Sequence, residues 1–144
     1  MEKYLPFIAH RTNKPQFYKR SLIRTAVGLH EQLTEIISKK LPIGAKILDF
    51  GCGQGALSLR LQDLGYDVLA VDKDANDFQC HGQIKFEKLN FDDQKEIKVF
   101  FERHQEEFDM VLGIEVIEHV ENPWNYVRDL KTLLKKDGYM LIST

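Results

Sequence analysis

Residues 47–60 read ILDFGCGQGALSLR: an apolar strand broken by one acid, a turn with glycine at 51, 53 and 55, and the start of a leucine-bearing helix. A strand running through a glycine turn into a helix is the opening unit of a strand–helix–strand crossover. The turn then lies at the carboxyl end of the strand, and the free N–H groups of the helix point at whatever binds there. Turns of this kind usually cradle phosphate. Asp49 stands two residues ahead of the first glycine, where its charge would repel a phosphate. The acid therefore decides what class of ligand the turn receives.

Working outward, the same alternation repeats. Residues 1–15 read as an irregular lead-in, and the spacing of Ile23, Val27, His30, Leu33 and Ile37 predicts a helix from about Gln16 to Lys40, stopped by Pro42. Strand KILDF precedes a helix carrying Leu57, Leu61 and Leu64 and closed by Gly65. Strand DVLAV leads to Asp72, and IKFEKL follows after a short connection. Asp93 with Glu96 resembles a capping box for a helix bearing Ile97, Phe100 and Phe101. Strand FDMVLGI comes next, Asn122-Pro123 caps a helix predicted to run to Lys136 and end at Gly138, and YMLIST is the last strand. This order predicts an α/β fold: a doubly wound, mostly parallel sheet with helices on both faces. Residues 1–43 are read as a lead-in and helix covering the site, residues 44–144 as the α/β core. Ligands bind such sheets at the carboxyl ends of the strands, where strand order reverses. Gly51–Gly55, Asp72, Asn90 and Gly113–His119 are thereby expected around one crevice. The final strand, with nothing to cover its outer edge, is an edge at which a second copy could pair into a homodimer.

Bulk properties exclude several classes. The 144 residues fit one domain, enough to bury about 70% of the unfolded surface. A net charge of -2 offers no broad field for nucleic acid. No run of about 18 apolar residues is present, and MEKYLPFIAH is too short and interrupted for a secretory signal. Cys52 and Cys80 are the two cysteines, which is no disulfide framework, so a reducing, cytoplasmic setting is expected.

The charge of Asp49 separates two ligands that share this turn. A nicotinamide dinucleotide brings a pyrophosphate; S-adenosylmethionine brings an ammonium, a carboxylate and a sulfonium. An acid at the end of the first strand attracts the ammonium, and backbone donors of the turn are expected to receive the carboxylate. Asp72, at the end of the next strand, has the separation expected of an acid that accepts ribose hydroxyls. A nicotinamide-dependent oxidoreductase is the weaker alternative: Asp49 argues against it, and beyond Gly55 stand Leu57 and Ser58 with no further glycine.

The ordered stretches LDFGCGQG, VLAVDKD, FEKLNFDD, FDMVLGIEVIEHV and LKTLLKKDGYMLIST resemble the class I S-adenosylmethionine-dependent methyltransferases over roughly residues 45–144, and most closely the ubiquinone-biosynthesis-like O-methyltransferase group. The resemblance implies that Asp49, Gly51, Cys52, Gly53 and Gly55 hold the methionine portion and that Asp72 takes the ribose hydroxyls, with Lys73 beside the adenine edge. It implies that Asn90 and Phe91 line the adenine pocket and that Gly113 and Ile114 pass under the cofactor. It further implies methyl transfer to a small-molecule acceptor, by analogy at oxygen. The family commonly has Asp where Asn90 stands, and its sheet continues beyond the stretch that closes here at IST; a fragment or truncated form is therefore expected. A cofactor-binding or interaction module without catalysis is the corresponding alternative.

Glu115, Glu118 and His119 follow the fourth strand. His119 is the candidate base for an acceptor proton, with the two acids as positioning groups. The three could also suggest a divalent metal, but no further histidine follows and no metal is assigned. Cys52 is read as a small residue in a tight turn, Cys80 and His81 as loop residues, and His30 and His104 as packing-edge histidines. Trp124 is read as an aromatic covering the sheet edge. The basic and aromatic residues His10, Arg11, Lys14, Lys19 and Arg20 with Phe7, Phe17 and Tyr18 are read as a solvated approach rather than a lid.

Overall fold

The central strand is apolar on both faces because helices cover both: Ile47 and Leu48 are each fully buried. The computed structural model describes residues 14–144; His10, Arg11 and Phe7 lie outside them. In chain order the elements are β1 (Gln16–Tyr18), β2 (Ser21–Ile23), α1 (Leu29–Lys40), β3 (Lys46–Phe50), α2 (Ala56–Asp63), β4 (Asp67–Asp72) and β5 (Lys85–Lys88). They continue with α3 (Gln94–Arg103), β6 (Phe108–Ile114), a 3₁₀ turn (Ile117–His119), α4 (Pro123–Thr132) and β7 (Leu134–Ser143).

The main sheet has the order β5-β4-β3-β6-β7, and every neighbouring pair is parallel. The chain moves outward from β3 to β5, then returns to the other side of β3 as β6. The switch point lies between β3 and β6, and the glycine turn opens there. Strand alternation divides the core. Ile47, Val68, Ala70, Met110 and Leu112 pack against Leu33 and Ile37 of α1 and Leu57 and Leu61 of α2. On the other face Leu48, Phe50, Val71 and Val111 pack against Phe100 of α3 and Leu130 beside Leu133 at the end of α4. Asp49 falls on the α1–α2 face by the same period of two.

The amino ends of the central strands carry a charged network. The Lys46 N–H donates to Asp109 Oδ2 at 2.8 Å, Lys46 Nζ pairs with Glu107 at 2.9 Å, and Lys135 Nζ pairs with Asp109 at 3.1 Å. The caps fall where the sequence places them. Asp93 accepts from the N–H groups of Lys95 and Glu96, and Asn122 accepts from Asn125, with Pro123 in the first turn of α4. Glu96 departs from the box in one respect: its carboxylate accepts from the Asn90 N–H, not from Asp93.

Two boundaries are corrected. The predicted helix from Gln16 begins only at Leu29, after Gly28 in the left-handed region; Gln16–Ile23 is instead an antiparallel hairpin. The helix predicted to run to Lys136 stops at Thr132, because Leu134 already pairs with Phe108 and Asp137 takes a left-handed φ of 66° within β7. Among the described residues no helix is long and apolar enough to cross a membrane.

Candidate functional site

The glycine turn is bound to the end of β4. The N–H groups of Gly51 and Cys52 both donate to Val71 O, at 2.8 and 3.0 Å. Gly53 N–H donates to Asp72 Oδ2 at 2.8 Å, and Gly55 N–H to Cys52 O at 3.0 Å. Four amides that the sequence offers to a ligand thus serve to shape the loop. Gly51 has φ 88°, and a Cβ there would lie 2.6 Å from Val116 Cγ2, so no other residue brings this turn against the segment after β6.

Beneath the turn Asp49 is 3% exposed. Its Oδ2 accepts from Ser58 Oγ at 2.6 Å, in the first turn of α2. Burial pushes its pKa up to about 6; the Ser58 hydroxyl opposes the rise, and the charge of Asp72 adds to it. An acid so placed is ionised at neutral pH at a cost that a cation would offset.

A cleft of about 520 Å³ opens above these groups. Asp49, Gly51, Cys52, Gly53, Asp72 and Lys73 line it from the β3 and β4 side. Phe91, Ile114, Glu115, Glu118 and His119 line it from the β5 and β6 side. Three expected residues do not. Gly55 instead faces Phe78, whose ring carbon would lie 2.6 Å from an added Cβ. The Asn90 side-chain oxygen is taken by the Asp92 N–H at 3.1 Å. Gly113 backs onto Tyr126, whose Oη would lie 2.5 Å from a Cβ. That hydroxyl is buried without a partner, and burial raises its pKa, with the charges of Asp49 and Glu118 adding.

The acid–histidine segment is held at one end and open at the other. Glu115 has φ 54°; its N–H donates to Ser143 O and its Oε1 accepts from Ser143 Oγ at 2.8 Å. Glu118 Oε1 stands 4.0 Å from His119 Nε2, and the His119 side chain is 78% exposed. Among the described residues no group of three or more His, Cys, Asp or Glu is arranged to hold a metal ion. Burial raises the Cys52 thiol far above its ordinary pKa, so it remains protonated and is no nucleophile. Cys80 is buried, with Sγ 3.2 Å from Ser21 Oγ.

Sequence reasoning, which reads residues 1–43 as covering the site, did not identify the residues that line the cleft from that side: Leu22, Arg24, Thr25 and His30. The hairpin is tied to the glycine turn through Gln54, whose Oε1 accepts from the Leu22 N–H at 2.8 Å. Arg24 makes two hydrogen bonds to Asp77, at 2.8 and 3.0 Å. His30 is 5% exposed, and its Nδ1 is buried with no partner. Burial holds its pKa down near 4, and the nearby Arg60 charge contributes. Its apolar helical spacing was legible; that it also borders the cleft was not.

Residues 18–144 match the family model described as a methyltransferase domain. The ubiquinone biosynthesis O-methyltransferase of Glaesserella parasuis serovar 5 is 34% identical over 113 residues, covering 70% of this chain and 45% of that protein. The chain therefore spans less than half the length of this relative. In fold it resembles an S-adenosylmethionine-dependent methyltransferase from Mesorhizobium loti, with TM-score 0.62, 23% identity, and 81% and 53% of the two chains covered. It also resembles coclaurine N-methyltransferase bound to N-methylheliamine and S-adenosylhomocysteine, with TM-score 0.61, 21% identity, and 82% and 36% covered. The switch-point cleft, the buried acid under its glycine turn and the match over residues 18–144 agree: the chain belongs to the S-adenosylmethionine-dependent methyltransferase family.

Proposed function

We propose that the protein transfers a methyl group from S-adenosylmethionine to the oxygen of a small-molecule acceptor. The observation that carries this reading is Asp49: a buried carboxylate with one hydroxyl partner and a second acid nearby, at the edge of a cleft of cofactor size. Such a group suits a ligand cation and disfavours a pyrophosphate. The donor set therefore fits S-adenosylmethionine and does not fit a nicotinamide dinucleotide.

Asp49 would hold the cofactor's ammonium beside the glycine turn. Asp72, whose carboxylate accepts from the Gly53 and Asp74 N–H groups and keeps further acceptor capacity, would take the ribose hydroxyls, with Lys73 and Phe91 toward the adenine. Ile114, which lines the cleft, would form the floor. When bound, S-adenosylmethionine supplies an electrophilic methyl group on sulfur. The chain's own part is positioning and proton handling. His119 would accept the acceptor's hydroxyl proton at Nε2, and Glu118 would stabilise the resulting imidazolium. Glu115, fixed by Ser143, would orient the acceptor. Oxygen rests on the O-methyltransferase relative, since fold does not set the acceptor atom. A cytoplasmic location and a homodimer through the edge of β7 belong to the same reading; both cysteines are free and β7 ends the sheet.

Isothermal titration with S-adenosylhomocysteine and, separately, NAD tests the proposal. Saturable binding of the first and none of the second is expected. Binding of NAD across the turn, or no binding of S-adenosylhomocysteine, would sink it.

A further inference from the structure

The internal hydrogen bonds of the glycine turn raise a question about the other pole of the amino-acid tail. The amides of Gly51, Cys52, Gly53 and Gly55 are all spent within the protein. A carboxylate arriving beside Asp49 finds none of these four amides free. Arg24 is committed to Asp77 by two bonds. The first turn of α2 remains: its N-cap is Gly55, which makes no side-chain cap bond, so the helix's leading N–H groups are open to a ligand. Ala56 and Leu57 of that turn line the cleft, and so does His30. His30 is 5% exposed, and its buried Nδ1 has no partner. A buried polar nitrogen with nothing to bond is disfavoured unless a ligand completes it.

We infer that His30, together with the first turn of α2, binds the carboxylate of the cofactor's amino-acid tail. This assignment rests on the S-adenosylmethionine reading and adds a residue to it. Neutral imidazole has one N–H to donate, and a carboxylate accepts only. The arrangement sorts the zwitterion by charge. The ammonium goes to Asp49, which Ser58 ties to the same helical turn, and the carboxylate goes to the positive end of α2 with His30 beside it. His30 is a positioning residue; it touches no reacting atom.

The test compares two ligands by calorimetry: S-adenosylhomocysteine, and S-adenosyl-3-thiopropylamine, which keeps the ammonium and lacks the carboxylate. His30→Ala should weaken S-adenosylhomocysteine about tenfold to a hundredfold, as expected for a hydrogen bond to a charged group, and leave the decarboxylated ligand within about twofold. His30→Gln, which keeps an N–H donor, should recover most of the loss. Should His30→Ala fail to fold, His30→Leu fills the space without a donor and makes the same comparison. Equal weakening of both ligands, or no weakening of either, overturns the assignment while the methyltransferase reading stands. Absence of S-adenosylhomocysteine binding by the unaltered protein overturns both.

Discussion

At the level of single residues, burial of the ionised Asp49 works against folding. Its pKa rises from 3.8 to about 6 on burial, so the native state holds that proton more tightly than the unfolded chain does. Its contribution to stability is full below about pH 4, is lost as pH rises to about 6, and amounts to on the order of 3 kcal/mol. His30 has the opposite sign: its pKa falls from 6.5 to about 4, so its contribution grows with pH over about 4 to 6.5. The two nearly offset in the intact protein, and a difference between variants separates them. Asp49→Asn should gain about 1–3 kcal/mol over the unaltered protein at pH 7, with the gain growing from pH 4 to 6 and level above. It should also lose about 2–4 kcal/mol in S-adenosylhomocysteine affinity, since a charge-assisted contact is gone. Urea unfolding across pH, with calorimetry at pH 7, checks both. A variant that neither gains stability nor loses ligand would mean Asp49 faces no cation.

Among elements, β6 and α4 meet behind the cleft at Gly113 and Tyr126. Tyr126 Oη sits where a Gly113 side chain would be and has no partner. Gly113→Ala should destabilise by about 1–3 kcal/mol through overpacking. Tyr126→Phe should stabilise by about 1 kcal/mol by removing an unsatisfied hydroxyl, and should rescue Gly113→Ala in the double variant. Thermal unfolding of the three proteins reads this directly; additive effects without rescue would show that the hydroxyl is not what the Cβ meets. The five parallel strands and the caps at Asp93 and Asn122 were legible because period, capping side chains and proline all agree there. The hairpin was not. Its strands are three residues long, and Lys19 takes φ 52° at a turn position that ordinarily calls for glycine. The helical spacing of Ile23 and Val27 then extended α1 falsely toward the amino terminus. With the hairpin hidden, so was the cleft wall of Leu22, Arg24 and Thr25. Asp49 and Asp72 were legible from their places at strand ends, whereas the internal use of the turn's amides depends on Val71 O, which no sequence pattern displays.

For the whole molecule, β7 is the outer strand of the sheet, and Tyr139 on it is 43% exposed. A second copy adding there would extend the sheet. Sedimentation equilibrium should show a concentration-dependent dimer that Ile142→Pro, which removes a backbone donor, shifts toward monomer; a monomer at every concentration would exclude it. The ion network of Lys46, Glu107, Asp109 and Lys135 stands at the opposite end of the sheet from the cleft. Along β3, Lys46 and Gly51 are roughly 17 Å apart, farther than the roughly 8 Å over which physiological salt screens charge. The charges at the two ends of one sheet therefore act largely independently, and selection can retune either set while the other keeps its setting.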